Sequence, residues 1–232
     1  MHPSRELELK LALDPSDVDR LLAHPLVLAA AAGPAEVRER RTIDFDDREL
    51  SLAARGIALR LRRAGLEQTQ TVELDDAATA AGLFARVELE VASPGERPDL
   101  AAIADEAVRA RIVDALDGRP LEPVFETVVR RTQLLLRDEV AEIALVLDRG
   151  ELRSGFASEP ICEVELELRA GPMSRLFEVA LSLGETIALR PTARSRSERG
   201  HALRTGLRPT AVRARPIELP PDATLKQAIV PI

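Results

Sequence analysis

Tryptophan and tyrosine are absent from these 232 residues, and five phenylalanines leave the aromatic content at 2%. Any core must therefore be packed by Leu, Val, Ile and Ala, and the 45% apolar content is enough for a sizeable one. A single cysteine, Cys162, excludes an intramolecular disulfide and four-cysteine zinc sites, and fits a reducing compartment. The three histidines, His2, His24 and His201, are scattered and form no metal-ligand spacing. No apolar run approaches the roughly 18 residues of a membrane span, and the N-terminus has no signal-peptide core. A soluble, cytoplasmic protein is the expectation. Positive charge is also short: the net charge of −7 argues against general nucleic-acid affinity. Lysine is the scarcest cation, with Lys10 and Lys226 set against thirty arginines.

What the chain does have is acidic residues at every second position of strand-like segments. In Arg5-Glu6-Leu7-Glu8-Leu9-Lys10-Leu11, alternation puts Glu6, Glu8 and Lys10 on one face and the leucines on the other. The pattern recurs at Arg86, Glu88 and Glu90, and at Glu163, Glu165 and Glu167. An ordinary antiparallel sheet with one wet face gives the same alternation. Carboxylate rows beside Arg and Lys also suit a site holding hard divalent cations together with a polyphosphate. In an arginine-rich chain, Lys10 beside Glu6 and Glu8 suggests a compact point charge where a guanidinium would not serve.

Further strands are expected over 36–46, 56–63, 67–74, 84–92, 124–137, 141–148, 151–157 and 161–169, with Asp148-Arg149-Gly150 as a hairpin-type turn. Helical spacing covers 99–117 from Pro98, and 172–189; Val18, Leu21 and Leu22 form a short apolar stripe after Asp14-Pro15-Ser16. Residues 190–206 carry a basic polar segment, and the proline-rich stretch from 207 reads as a linker. The expectation is a mainly β (α+β) domain over 1–206, a barrel-like antiparallel sheet of about eight strands, followed by a tail over 207–232.

Several blocks carry a family resemblance. Glu6-x-Glu8-x-Lys10 is similar to the ExExK signature of the CYTH superfamily, the triphosphate tunnel metalloenzymes. Phe45-Asp46-Asp47-Arg48-Glu49-Leu50 with Gly56-Ile57-Ala58-Leu59-Arg60-Leu61-Arg62 resembles its next block. Gln70-Thr71-Val72, Arg86-Val87-Glu88-Leu89-Glu90, Glu142 through Gly150, Glu163-Val164-Glu165-Leu166-Glu167 and Ser195-Arg196-Ser197-Glu198-Arg199-Gly200 follow in family order, over roughly residues 4–205.

The resemblance implies an eight-stranded antiparallel β-barrel whose polar interior forms a tunnel, with helices packed outside. It implies Mg²⁺ or Mn²⁺ held by Glu6, Glu8, Glu165 and Glu167. Phosphate oxygens would be held by Lys10, Arg60, Arg62, Arg86 and Arg196, with Arg38, Arg40 and Arg131 added from strand parity. Lys10, Glu88, Glu90 and Arg196 form the expected catalytic group. The implied reaction is hydrolysis of inorganic triphosphate to pyrophosphate and phosphate. The alternatives are a non-catalytic polyphosphate- or nucleotide-binding module, or a hydrolase of thiamine triphosphate or a nucleoside triphosphate. The tail, Pro216 to Pro221 and Ala223 to Ala228, looks like a junction leading into a CHAD domain, a helical, polyphosphate-associated partner.

Three positions depart from the family pattern. Glu73 stands where lysine is usual, which reverses a charge expected to face the triphosphate. Arg196 replaces a lysine, and Asp44 a frequent tyrosine.

Overall fold

The structure, a computed structural model, describes residues 4–75, 83–93, 95–192 and 194–206. The tail over 207–232 and its CHAD-like junction lie outside the described residues, as do the side chains of Glu6 and Arg86.

Among the described residues nine antiparallel strands make one sheet: β1 (Ser4–Ala12), β2 (Glu36–Asp46), β3 (Ile57–Ala64), β4 (Glu67–Asp75), β5 (Leu83–Ala92), β6 (Glu122–Arg137), β7 (Glu142–Ser154), β8 (Ala157–Ala170) and β9 (Arg190–Pro191). Their order is β5-β4-β3-β2-β6-β7-β8-β1-β9. The end strand β5 also pairs with β1, Ser4 to Leu9 lying against Glu88 to Leu83. The ninth strand, not expected from the sequence, is a two-residue pairing of Pro191 and Arg190 with Leu11 and Ala12.

Among the described residues five α-helices are present, α1 (Val18–Leu22), α2 (Pro25–Ala30), α3 (Glu106–Leu116), α4 (Ser174–Gly184) and α5 (Arg196–Thr205). The first four cover the leucine faces, whereas α5 packs through Leu203 against Phe125, Val129, Leu152 and Ile161. Leu9 and Leu11 of β1, Leu145 and Leu147 of β7, and Val164 and Leu166 of β8 pack with Leu21, Val27, Leu176 and Leu183 from α1, α2 and α4. Ile57 and Leu59 of β3, Val72 of β4 and Leu89 of β5 pack with Val108, Ile112 and Leu116 of α3. The apolar faces are thus buried beneath helices, which leaves the charged faces turned toward one another. That inversion positions the site.

Two local expectations are corrected. Asp148-Arg149-Gly150 is no turn; β7 runs through it without a break. Gly150 serves close approach instead, since a Cβ there would lie 2.0 Å from the Val128 carbonyl oxygen. The hairpin comes at Gly155-Phe156, with Gly155 at φ +58° between paired Ser154 and Ala157. The helix expected over 99–117 begins at Glu106, because the Asp105 side chain caps it by accepting from the Val108 amide. The basic segment near 196 is helical, opened by a capping box between Ser195 and Glu198.

Candidate active site

The charged strand faces enclose a cavity of about 350 Å³. On the β1–β8 wall, register sets Glu8 opposite Glu167 and Lys10 opposite Glu165. Carboxylate oxygens of Glu8, Glu165 and Glu167, all buried, lie within 4.8 Å of one another. Lys10 Nζ sits 3.0 Å from Glu165 and 3.5 Å from Glu8. Burial alone would lower the Lys10 ammonium pKa, and the two carboxylates reverse that and raise it. Glu165 is held well below the carboxylate range: burial opposes ionisation, and Arg196, Lys10 and Arg131 overcome it. Glu167 is pushed up to about 7 by burial and by the neighbouring Glu165 charge. Three crowded oxygen ligands, with a repelled negative charge among them, fit a hard divalent cation.

Behind this wall lies a residue that sequence reasoning took for part of a turn. Asp148 is fully buried and accepts from Arg131 at 2.8 and 2.6 Å; Arg196 lies 2.7 Å away. Arg196 also bonds Glu163 at 3.1 Å and Glu165 at 3.0 Å. Asp148 and Glu163 are directly opposed on β7 and β8, a like-charge pair that only a bridging cation makes tolerable. The usable signal was parity, because Asp148 shares the inward face of β7 with Val146 and Ala144.

The opposite wall, β2 to β5, is differently compensated. Arg60 donates to Asp44 at 3.2 Å and to Glu73, so Glu73 faces the cavity and is ion-paired there. Arg62 bonds Glu90 at 3.0 Å and Glu88 at 3.3 Å, while Thr71 donates to Glu90 at 3.4 Å. The expected catalytic carboxylates Glu88 and Glu90 are therefore partners of the expected phosphate-holding Arg62. Arg38 does not line the main cavity; it stands at an adjoining chamber, 3.3 Å from Glu36. Glu6 and Arg86 occupy paired positions on β1 and β5.

Arg40 differs from the other guanidiniums lining the cavity. Among the described residues it has no hydrogen-bonded or ion-paired partner, and it is half-buried beside Arg131 and Arg62. Burial, with those two cations, lowers its pKa to about 9. A cation so placed calls for an external anion.

Asp44 carries a testable pH signature. Burial raises its carboxyl to about 6 against the pull of Arg60, with the Glu73 charge pushing the same way. The native state keeps this proton to about pH 6, whereas the unfolded chain releases it near 3.8. The resulting stabilisation is complete below the lower value and is lost as pH rises through the higher one. The gap is worth roughly 3 kcal/mol. Asp44→Asn cannot ionise, so its stability relative to the parent should improve by roughly 2 kcal/mol between pH 4 and pH 7. Urea unfolding midpoints of both proteins at the two pH values measure this; a parent–variant difference that ignores pH would refute it.

Comparison with known proteins agrees with this geometry. The CYTH domain model matches residues 4–196. An inorganic triphosphatase of Haemophilus influenzae is 26% identical over 200 residues, 86% of this chain and 55% of that protein, so the chain spans about half of that relative's length. Two solved structures share the fold. A candidate adenylyl cyclase from Hippeastrum, described as having a dominant triphosphatase activity, has TM-score 0.58 and 18% identity, covering 87% of this chain and 96% of that one. A candidate adenylate cyclase from Bacillus halodurans has TM-score 0.53 and 18% identity, covering 83% and 95%. With its charged faces turned inward and the family model matched over most of its length, this chain belongs to the CYTH domain family.

Proposed function

We propose that the chain is a metal-dependent inorganic triphosphatase. In this reading the eight long strands form a barrel, supported by the β5–β1 pairing, and the cavity is its tunnel. The observation that carries the proposal is Arg40, a guanidinium with no hydrogen-bonded or ion-paired protein anion among the described residues, in one cavity with the three-carboxylate cluster. Among the described residues the cavity is lined by seven cationic and seven acidic side chains. The protein's own charges therefore leave no surplus for a ligand bearing several negative charges, and divalent cations would supply it.

Glu8, Glu165 and Glu167 would hold Mg²⁺ or Mn²⁺, with Glu6 a further candidate by strand parity. When bound, such an ion offsets phosphate charge and makes a bound water more acidic. Arg40 and Arg131 would hold phosphate oxygens, while Lys10, fixed by Glu165, would place its ammonium against the same chain of oxygens. Arg196, anchored by Asp148 and Glu163, keeps Glu165 ionised and oriented. No aromatic side chain is among the described residues lining the cavity, which favours an inorganic ligand over a nucleotide or thiamine ester. The pairing of Arg60 with Glu73 favours a second reading, a binding module without turnover.

Phosphate release from tripolyphosphate, ATP and thiamine triphosphate, with Mg²⁺, Mn²⁺ or chelator, separates the readings. Tripolyphosphate should be cleaved best, and chelator should stop the reaction. A thermal shift with tripolyphosphate but no release would leave the binding module. Neither shift nor release would sink both.

A further inference from the structure

We propose that the chamber beside the main cavity holds further phosphate units, so that the chain takes linear inorganic polyphosphates longer than three phosphates; this rests on the triphosphate reading of the main cavity. The chamber measures about 210 Å³ and shares Arg40, Arg62, Glu90, Arg131 and Gln133 with that cavity. A ligand filling the inner space therefore passes these side chains to reach the outer one.

Charge grades along the path. On β2 the inward positions run Arg38, Arg40, Thr42, Asp44, cationic at the chamber and acidic deep inside. On β6, Arg131 stands at the register position of Arg38. Arg40 has no hydrogen-bonded or ion-paired anion among the described residues, and burial and the Arg131 and Arg62 charges burden it more than the more weakly felt Asp148 and Glu165 relieve it. An anion lying between them and Arg38 relieves that repulsion. The Arg38 side chain is 63% exposed and its guanidinium meets Glu36 at 3.3 Å. A surface pair of this kind is worth little, so exchange for a phosphate is favourable. The chamber also contains Glu67 and Glu90, the latter already engaged by Arg62 at 3.0 Å. Thr69 and Gln133 supply neutral donors for bridging and terminal oxygens. No aromatic side chain is among the described residues lining it, so a nucleoside at this position finds no stacking surface.

Calorimetric titration of the full chain with tripolyphosphate, tetrapolyphosphate and ATP, all with Mg²⁺, tests this. Tetrapolyphosphate should bind about tenfold tighter than tripolyphosphate, the gain from one added contact to a charged group. Arg38→Gln should bring that ratio close to one, and comparing ratios cancels the statistical advantage of a longer chain. Equal binding of the two polyphosphates by the parent, or a ratio unmoved in Arg38→Gln, would overturn the proposal while leaving the triphosphatase reading intact. ATP gaining an Arg38-dependent advantage over tripolyphosphate would overturn the inorganic assignment. If tetrapolyphosphate binds with the Arg38 dependence and tripolyphosphate does not bind, the triphosphatase reading falls and the chamber stands; if neither binds, both fall.

Discussion

Glu167→Gln should abolish metal-dependent phosphate release, by at least about a hundredfold, while leaving the unfolding temperature within about 2 °C of the parent. Glu165→Gln should also lose activity but unfold roughly 6–12 °C lower. The two carboxylates share one cluster, and their surroundings separate them. Glu165 is the common partner of Lys10 at 3.0 Å, Arg131 at 3.1 Å and Arg196 at 3.0 Å. Removing its charge leaves three buried or half-buried cations undercompensated, a loss of about 3 kcal/mol, and a protein of this size shifts by roughly 2–4 °C per kcal/mol. Glu167 is paired with the half-exposed Arg169 and is repelled by Glu165. Its amide relieves that repulsion and keeps the shape, so the fold has nothing to lose while the cation loses a ligand. Titration with Mn²⁺ and a thermal melt, run on both variants, read the two effects independently. Turnover of Glu167→Gln within twofold of the parent would remove the carboxylate cluster from the reaction.

The strands were legible because their period of two is written in leucines and glutamates, and the family blocks then assigned roles to faces that periodicity could only separate. Alternation could not say whether the polar face met water or enclosed a cavity. The helices decide that, since α3 and α4 cover the leucine faces and no other surface can bury them. Asp148 was misread because Asp-Arg-Gly has turn composition, while its true partners, Arg131 and Arg196, come from β6 and α5. Parity along β7 could have turned it inward, but nothing local names those partners. Arg40 shows the same limit from the other side. Strand parity pointed it inward, but the charges around it, Arg131, Arg62, Asp148 and Glu165, come from strands distant in sequence. Glu88 and Glu90 were expected in the catalytic group, and the same faces that carry them also bring Arg62 within reach.

Glu73→Gln should tighten tripolyphosphate binding by about tenfold, and Glu73→Lys should tighten it further at low metal concentration. In the parent, Arg60 is engaged by both Asp44 and Glu73. A phosphate approaching Arg60 must displace one of them or meet two carboxylates, which cancels most of the attraction. Replacing Glu73 with its amide leaves Asp44 to hold the guanidinium and opens its other edge, restoring about one charge-assisted contact, worth roughly 1.5–3 kcal/mol. Lysine adds a second cation, but Asp44 then balances two. That variant should therefore melt several degrees lower than the parent while binding the anion more tightly, and tripolyphosphate should restore much of the lost stability. Calorimetric titration at two Mg²⁺ concentrations, with a melt in the presence and absence of tripolyphosphate, measures both. Parent-like affinity in both variants would mean that Arg60 lies off the phosphate path and that Arg40 and Arg131 carry the ligand alone. Loss of binding in both would make Glu73 a participant in holding the cation, because only a metal would turn a buried carboxylate at that position into an attraction for phosphate.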